Sequence, residues 1–252
     1  ELTLRVHGIP EATSAAVCAF DTISGAVDAV IATIQMGIPM ARIEFLDAAS
    51  VAACNARDGA EMPAMPHLMI EFHGSERAVA EDAARFGEIA EEFGAQGYAW
   101  STQPEERRRL WDMRHNAYYA ILASRPGATA LVTDVCVPIS RLAQAVEETV
   151  ADIADSSIPG PILGHAGDGN VHYSVLVDDA DPGAVERGED VYRRIVERAI
   201  EFDGTSTGEH GVGRGKREYL ELERGPGAVD VMGRVKRALD PEGILNPGKI
   251  FE

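Results

Sequence analysis

Residues 164–172 read Gly164-His165-Ala166-Gly167-Asp168-Gly169-Asn170-Val171-His172, two imidazoles flanking an Asp-Gly pair. Asp-Gly between β-prone runs is the signature of a two-residue type I′ hairpin, because both central positions need positive φ. With Asp168-Gly169 as that turn, His165 is expected directly opposite His172, and opposed residues place their Cβ atoms about 4.5–5.5 Å apart. Imidazoles that close can share one metal ion at about 2.0–2.1 Å. A further carboxylate and imidazole, Glu209 and His210, sit side by side in the glycine-rich stretch Ser206 to Lys216. Three protein ligands with an open position make a catalytic rather than a structural site, so His165, His172 and Glu209 are the expected ligand set. Adjacent side chains of an extended segment point to opposite sides, which predicts that His210 is directed away from the metal and is free to act as an acid or base. The same residues also fit a polar pair on a surface hairpin and an ordinary glycine-rich loop, and spacing alone does not choose between these.

The elements that must carry these residues are read from apolar periodicity and breakers. Strands are predicted at 15–20, 42–46, 67–73, 98–101 and 130–137, and in the two arms of the 165/172 hairpin. Helices are predicted at 23–36, 48–56, 76–93, 105–123, 140–153, 185–202, 216–222 and 229–239, followed by a turn-rich tail from Asp240 to Phe251. The hairpin requires antiparallel pairing, which disfavours a purely parallel sheet. The expected fold is therefore α+β: an antiparallel sheet covered by helices, its repeated units resembling two ferredoxin-like halves.

With 252 residues and 45% hydrophobic content the chain can bury a large core as one domain or two. A net charge of −18 argues against nucleic acid or an anionic membrane surface as a direct partner. Cys18, Cys54 and Cys136 lie in apolar runs and are odd in number, which reads as buried thiols in a reducing compartment. No stretch approaches the roughly 20 apolar residues of a membrane span, and no signal-peptide pattern is present. These features predict a cytoplasmic location, extending at most to the periphery of the inner membrane. The chain starts at Glu1 without methionine, and it is expected to be part of a longer polypeptide.

Three segments, Gly164 to His172, Thr207-Gly208-Glu209-His210-Gly211-Val212-Gly213, and Leu239-Asp240-Pro241 through Asn246-Pro247-Gly248-Lys249, resemble the signatures of the C-terminal domain of FAD-linked oxidases of the D-lactate dehydrogenase and glycolate oxidase group. Ile43 to Asp47, Leu110-Trp111 with Arg114 to Ala117, and Thr133 to Leu142 resemble the cytochrome-linked D-lactate dehydrogenase branch in particular. The resemblance runs over essentially the whole chain and implies that residues 1–252 form the cap, or substrate, domain. In that family a separate N-terminal domain binds FAD. Nothing before residue 164 resembles a nucleotide-binding unit, so the FAD domain is expected elsewhere in the same longer polypeptide.

The resemblance implies a role for each matching residue. His165, His172 and Glu209 bind a divalent metal, zinc being the expectation, and His210 is the base. Arg114 pairs with the substrate carboxylate, a task that suits the guanidinium fork. Asn170 contacts substrate or serves the turn, and Asn246 and Lys249 approach the flavin. Relatives acting on longer diacids carry a lysine where this chain has Val132, which favours a small monocarboxylate 2-hydroxy acid such as D-lactate. The expected activity is hydride transfer from a D-2-hydroxy acid to FAD, with the electron acceptor and the existence of a homodimer left open. Two other readings fit the same residues: a stand-alone non-haem metal oxygenase using a two-histidine, one-carboxylate triad, and a metal-binding module without turnover.

Overall fold

The computed structural model describes residues 2–178 and 180–251, and the chain divides into two compact units, residues 1–120 and 121–252. In the first, β1 (Ala12–Phe20), α1 (Ile23–Gln35), β2 (Arg42–Leu46), α2 (Ala48–Asp58), β3 (His67–Gly74), α3 (Glu76–Glu92) and β4 (Ala95–Ser101) precede α4 (Pro104–Ala123). The helices start where the sequence offers side-chain caps: Thr22, Asp47 and Ser75 accept hydrogen bonds from the N–H groups of Gly25, Ser50 and Ala78. The strands pair antiparallel in the order β4-β1-β3-β2, the order of a ferredoxin-like βαββαβ unit with one added helix, α2. Phe72 on β3, Phe86 on α3 and Tyr98 on β4 pack in series, with ring centroids 6.1 and 5.8 Å apart.

The second unit repeats this plan with one strand reduced. It contains β5 (Ala128–Val132), β6 (Val135–Cys136), α5 (Ile139–Ser156), β7 (Ile162–His165), β8 (Asn170–Asp178), α6 (Ala184–Glu201) and α7 (Arg217–Leu239), the last broken at Gly225-Pro226. β8 pairs with β7 on one side and with β5 and β6 on the other, all antiparallel. A ferredoxin-like half would add a fourth strand after α6, alongside β5 and β6. Here that strand is a single bridge between Thr205 and Cys136, after which the chain leaves as the glycine-rich stretch. Both units thus bear out the α+β antiparallel expectation. Among the described residues no helix is long and apolar enough to cross a membrane.

Two local expectations are corrected. The strand predicted at 130–137 is interrupted at Thr133-Asp134. There the Tyr173 N–H bonds the Thr133 hydroxyl (3.0 Å) while Tyr173 O accepts from the Thr133 N–H (3.1 Å), so the Thr133 carbonyl is released from the ladder. The hairpin turn is not a two-residue type I′ turn. Ala166–Asp168 form one turn of 3-10 helix closed by Gly169 at φ 76°, and His165 pairs with Asn170 while Leu163 pairs with His172. Relative to the expected register the strands slip by two residues. Because side chains alternate with period two, His165 and His172 still share a face, now as diagonal neighbours.

Gly169 is required twice over, by its left-handed backbone and because a Cβ there would lie 2.0 Å from the Val137 carbonyl oxygen. We expect Gly169→Ala to lose at least the roughly 1–2 kcal/mol of left-handed strain. Urea denaturation measures it, and an unchanged midpoint would mean that the turn relaxes at no cost.

Candidate metal centre and substrate residues

His165 and His172 enter from β7 and β8, and Glu209 and His210 from the stretch that follows the Thr205 bridge. His172 Nε2 lies 3.2 Å from Glu209 Oε1, and His165 Nε2 lies 3.8 Å from Glu209 Oε2. Two donors held about 2.0–2.1 Å from one tetrahedral ion stand about 3.3–3.4 Å apart, so these separations suit a shared metal. The His172 ring also has a fixed orientation: its Nδ1 donates to the Thr133 carbonyl at 3.1 Å, the group released by the break between β5 and β6. With the proton on Nδ1, Nε2 presents its lone pair to the cluster, the arrangement by which outer carbonyls prepare histidine ligands. Burial lowers the His172 pKa despite opposing contributions from Thr133, Glu209 and Asp134, which favours the neutral, ligating form.

His210 departs from its expected placement. Residues 208–210 bend rather than extend, so Glu209 and His210 do not point to opposite sides. His210 Nε2 is 3.3 Å from Glu209 Oε1, and its ring stacks on His172 with centroids 5.2 Å apart and planes 8° apart. Unlike His172 it is open, with its side chain 52% exposed.

Asp134 is a central residue that the sequence reading did not single out. It is fully buried, and with His172, Glu209 and His210 it completes a group whose donor atoms lie within 4.8 Å of one another. Its carboxylate accepts from Asn170 Nδ2 (3.0 Å), Thr207 Oγ1 (2.9 Å), the Glu209 N–H (3.1 Å), the His210 N–H (2.8 Å) and Lys216 Nζ (3.4 Å). Burial alone would raise its pKa. The hydrogen bonds from the His210 N–H, Asn170, Thr207 and the Glu209 N–H outweigh burial and hold the carboxyl well below the usual range. Two carboxylate oxygens offer about four lone-pair sites, so this set leaves none for a metal. The compact group thus gathers His172, Glu209 and His210 around Asp134, while His165 lies outside it and approaches through Glu209 Oε2.

The other predicted residues take varied positions. Asn170 is buried and serves Asp134, and it also donates to the Val135 carbonyl. Arg114, on α4 in the first unit, gives Nη2 to Glu44 Oε2 at 2.6 Å, both side chains nearly buried. Asn246 adopts φ 48°, and its carbonyl accepts from the Lys249 N–H at 3.2 Å. The next residue, Ile250, donates to the Gly213 carbonyl (2.7 Å), which fastens the tail to the glycine-rich stretch.

Two antiparallel α+β units of this order define the fold class of the chain. The sequence pattern of FAD linked oxidases, C-terminal domain, matches residues 9–250, and the chain belongs to that family. It is 46% identical to a probable mitochondrial D-lactate dehydrogenase of Danio rerio over 99% of this chain and 50% of the relative. It is 39% identical to the mitochondrial D-lactate dehydrogenase [cytochrome] of Arabidopsis thaliana over 100% of this chain and 44% of the relative. With glycolate oxidase subunit GlcD of Escherichia coli K12 the identity is 30%, over 99% and 50%. The chain thus spans about half the length of the curated relatives it matches. Among solved structures, 4-ethylphenol oxidase from Gulosibacter chungangensis superposes with a TM-score of 0.73 at 18% identity, covering 96% of this chain and 54% of that one. At that identity the match speaks for the fold alone.

Proposed function

We propose that this chain is the substrate- and metal-binding cap of an FAD-dependent D-2-hydroxyacid dehydrogenase that oxidises D-lactate to pyruvate. The observation that carries the reading is the convergence of His165, His172 and Glu209, with the His172 tautomer fixed by Thr133. The relatives named as D-lactate dehydrogenases and the absence of a second cation at Val132 support the substrate class.

When bound, FAD supplies the two-electron acceptor for hydride from the α-carbon, and a divalent metal, zinc in our reading, supplies positive charge for the substrate oxygens. His165, His172 and Glu209 would hold that metal. His210 takes the hydroxyl proton as the hydride leaves, so that one proton and one hydride account for the oxidation of alcohol to ketone. Its half-exposed ring is open to water, to which it would return the proton. Arg114 binds the carboxylate, with Glu44 holding one arm of its fork. Asn170 acts on substrate through the Asp134 network, and Asn246 and Lys249 present the fastened tail to the flavin.

The test is metal analysis of the full-length flavoprotein carrying His172→Ala or Glu209→Gln. We expect about one divalent metal per wild-type chain, and in each variant a loss of at least about tenfold in affinity, the lower end of what ligand-shell changes cost. Wild-type metal content in both variants would remove the basis of the site.

A further inference from the structure

The stretch that carries Glu209 and His210 replaces a strand, and no ladder beyond the Thr205 bridge determines its course. Two buried carboxylates do so instead. Glu223 on α7 accepts from the Thr205 hydroxyl and from the N–H and hydroxyl of Ser206, at 3.0–3.1 Å, and so fixes the start. Asp134 fixes the end: the Gly208 N–H meets its backbone carbonyl at 2.8 Å, and the next two N–H groups, of Glu209 and His210, meet its carboxylate. Three successive N–H groups turned toward one residue form a concave nest suited to an anion. Gly208 is needed for this approach, since a Cβ there would stand 2.0 Å from Asn170 Nδ2. With both N–H groups turned inward, the Glu209 and His210 side chains leave the bend toward His172.

We infer that Asp134 is a positioning residue, an internal anion that sets the curvature of residues 208–210 and thereby places the metal-ligating Glu209 and the base His210, with Lys216 as its counter-charge. The inference rests on the metal reading above and adds what assembles that site. Lys216 is itself buried and touches Asp134 at 3.4 Å, so the pair balances charge away from water. Asp134 reaches Glu209 and His210 through their backbone N–H groups, while the side chains of Asn170, Thr207 and Lys216 hold the carboxylate in place.

The test uses the full-length flavoprotein with Co2+ as the probe, comparing wild type with Asp134→Asn, Lys216→Met and the double variant. Each is measured for Co2+ affinity by chelator competition, for its visible Co2+ absorption, for thermal midpoint and for flavin reduction by D-lactate. Asp134→Asn is expected to weaken Co2+ binding about 10–100-fold, as loss of an outer-shell partner does, and to alter the visible band. The double variant regains the midpoint that Lys216→Met loses but keeps the weakened Co2+ affinity, because stability follows charge balance while the bend follows the carboxylate lone pairs. If Asp134→Asn alone fails to fold, the double variant, which buries no unpaired charge, takes its place. Wild-type Co2+ affinity and spectrum in the folded variant overturn the inference, as does recovery of stability and affinity together. A wild-type protein that binds no Co2+ refutes the metal reading instead. Positioning is then judged by flavin reduction, where a limiting rate lowered about tenfold or more at unchanged apparent KM supports it and a wild-type rate overturns it.

Discussion

His210→Ala in the full-length flavoprotein will slow flavin reduction by D-lactate about 10²–10⁴-fold, the usual contribution of a positioned general base, while metal content stays near wild type. The expectation turns on the difference between two stacked rings. His172 is buried and gives Nδ1 to the Thr133 carbonyl, which commits Nε2 to the cluster. His210 is half exposed and approaches Glu209 without such an anchor. A catalytic centre keeps one position open, and in the proposed centre His165, His172 and Glu209 would fill the other three. Stopped-flow reduction recorded beside metal analysis separates the roles: metal lost together with rate would make His210 a fourth ligand and end its assignment as the base.

The second large effect belongs to Arg114. Truncating one partner of a desolvated pair costs about 2–5 kcal/mol, so Arg114→Ala should weaken the apparent affinity for D-lactate by between about thirtyfold and several thousandfold. The same change removes the cation facing Glu44, itself only 7% exposed, and should lower the thermal midpoint as well. Arg114→Lys distinguishes the two losses, because it keeps the charge beside Glu44 but lacks the planar fork that grips a carboxylate at two points. Recovered stability with weak D-lactate binding is the expected result. Unchanged D-lactate affinity in Arg114→Ala would leave Arg114 as a partner of Glu44 and nothing more.

Much of the architecture was legible because it is local. Alternating apolar periods announced the βα repeats, and the separate helices predicted at 216–222 and 229–239 anticipated the break of α7 at Gly225-Pro226. The shared face of His165 and His172 was also legible, although through a turn of the wrong length. Asp168-Gly169 is a strong pair signal, but Val137 donates to the Gly169 carbonyl and draws the turn into a longer 3-10 form. What could not be read was Asp134. Its partners Asn170, Thr207, Glu209, His210 and Lys216 come from 36 to 82 residues away, and no period or motif spacing ties them to one carboxylate. Its local traces were its place in the Thr133 to Leu142 segment that carries the family resemblance, which gave it no role, and an acidic residue inside a run otherwise suited to a strand, which marks the interruption between β5 and β6. His210 was misplaced for a related reason: alternation holds for extended backbone, and the bend at 208–210 is imposed by that distant anion.

The slip at the 166–169 turn has a consequence for how such a chain can vary in length. Pairing, rather than loop length, is what the hairpin must conserve: residues added or removed between His165 and Asn170 leave both imidazoles on one side of the ribbon while that pair is kept, because loops of odd and even length both close an antiparallel pair, whereas a slip of the register by one residue turns one imidazole through to the other side. Length variants of this segment should therefore sort by whether the His165–Asn170 register survives, or shifts by two residues, and those in which it slips by one should lose the geometry on which a metal could be shared.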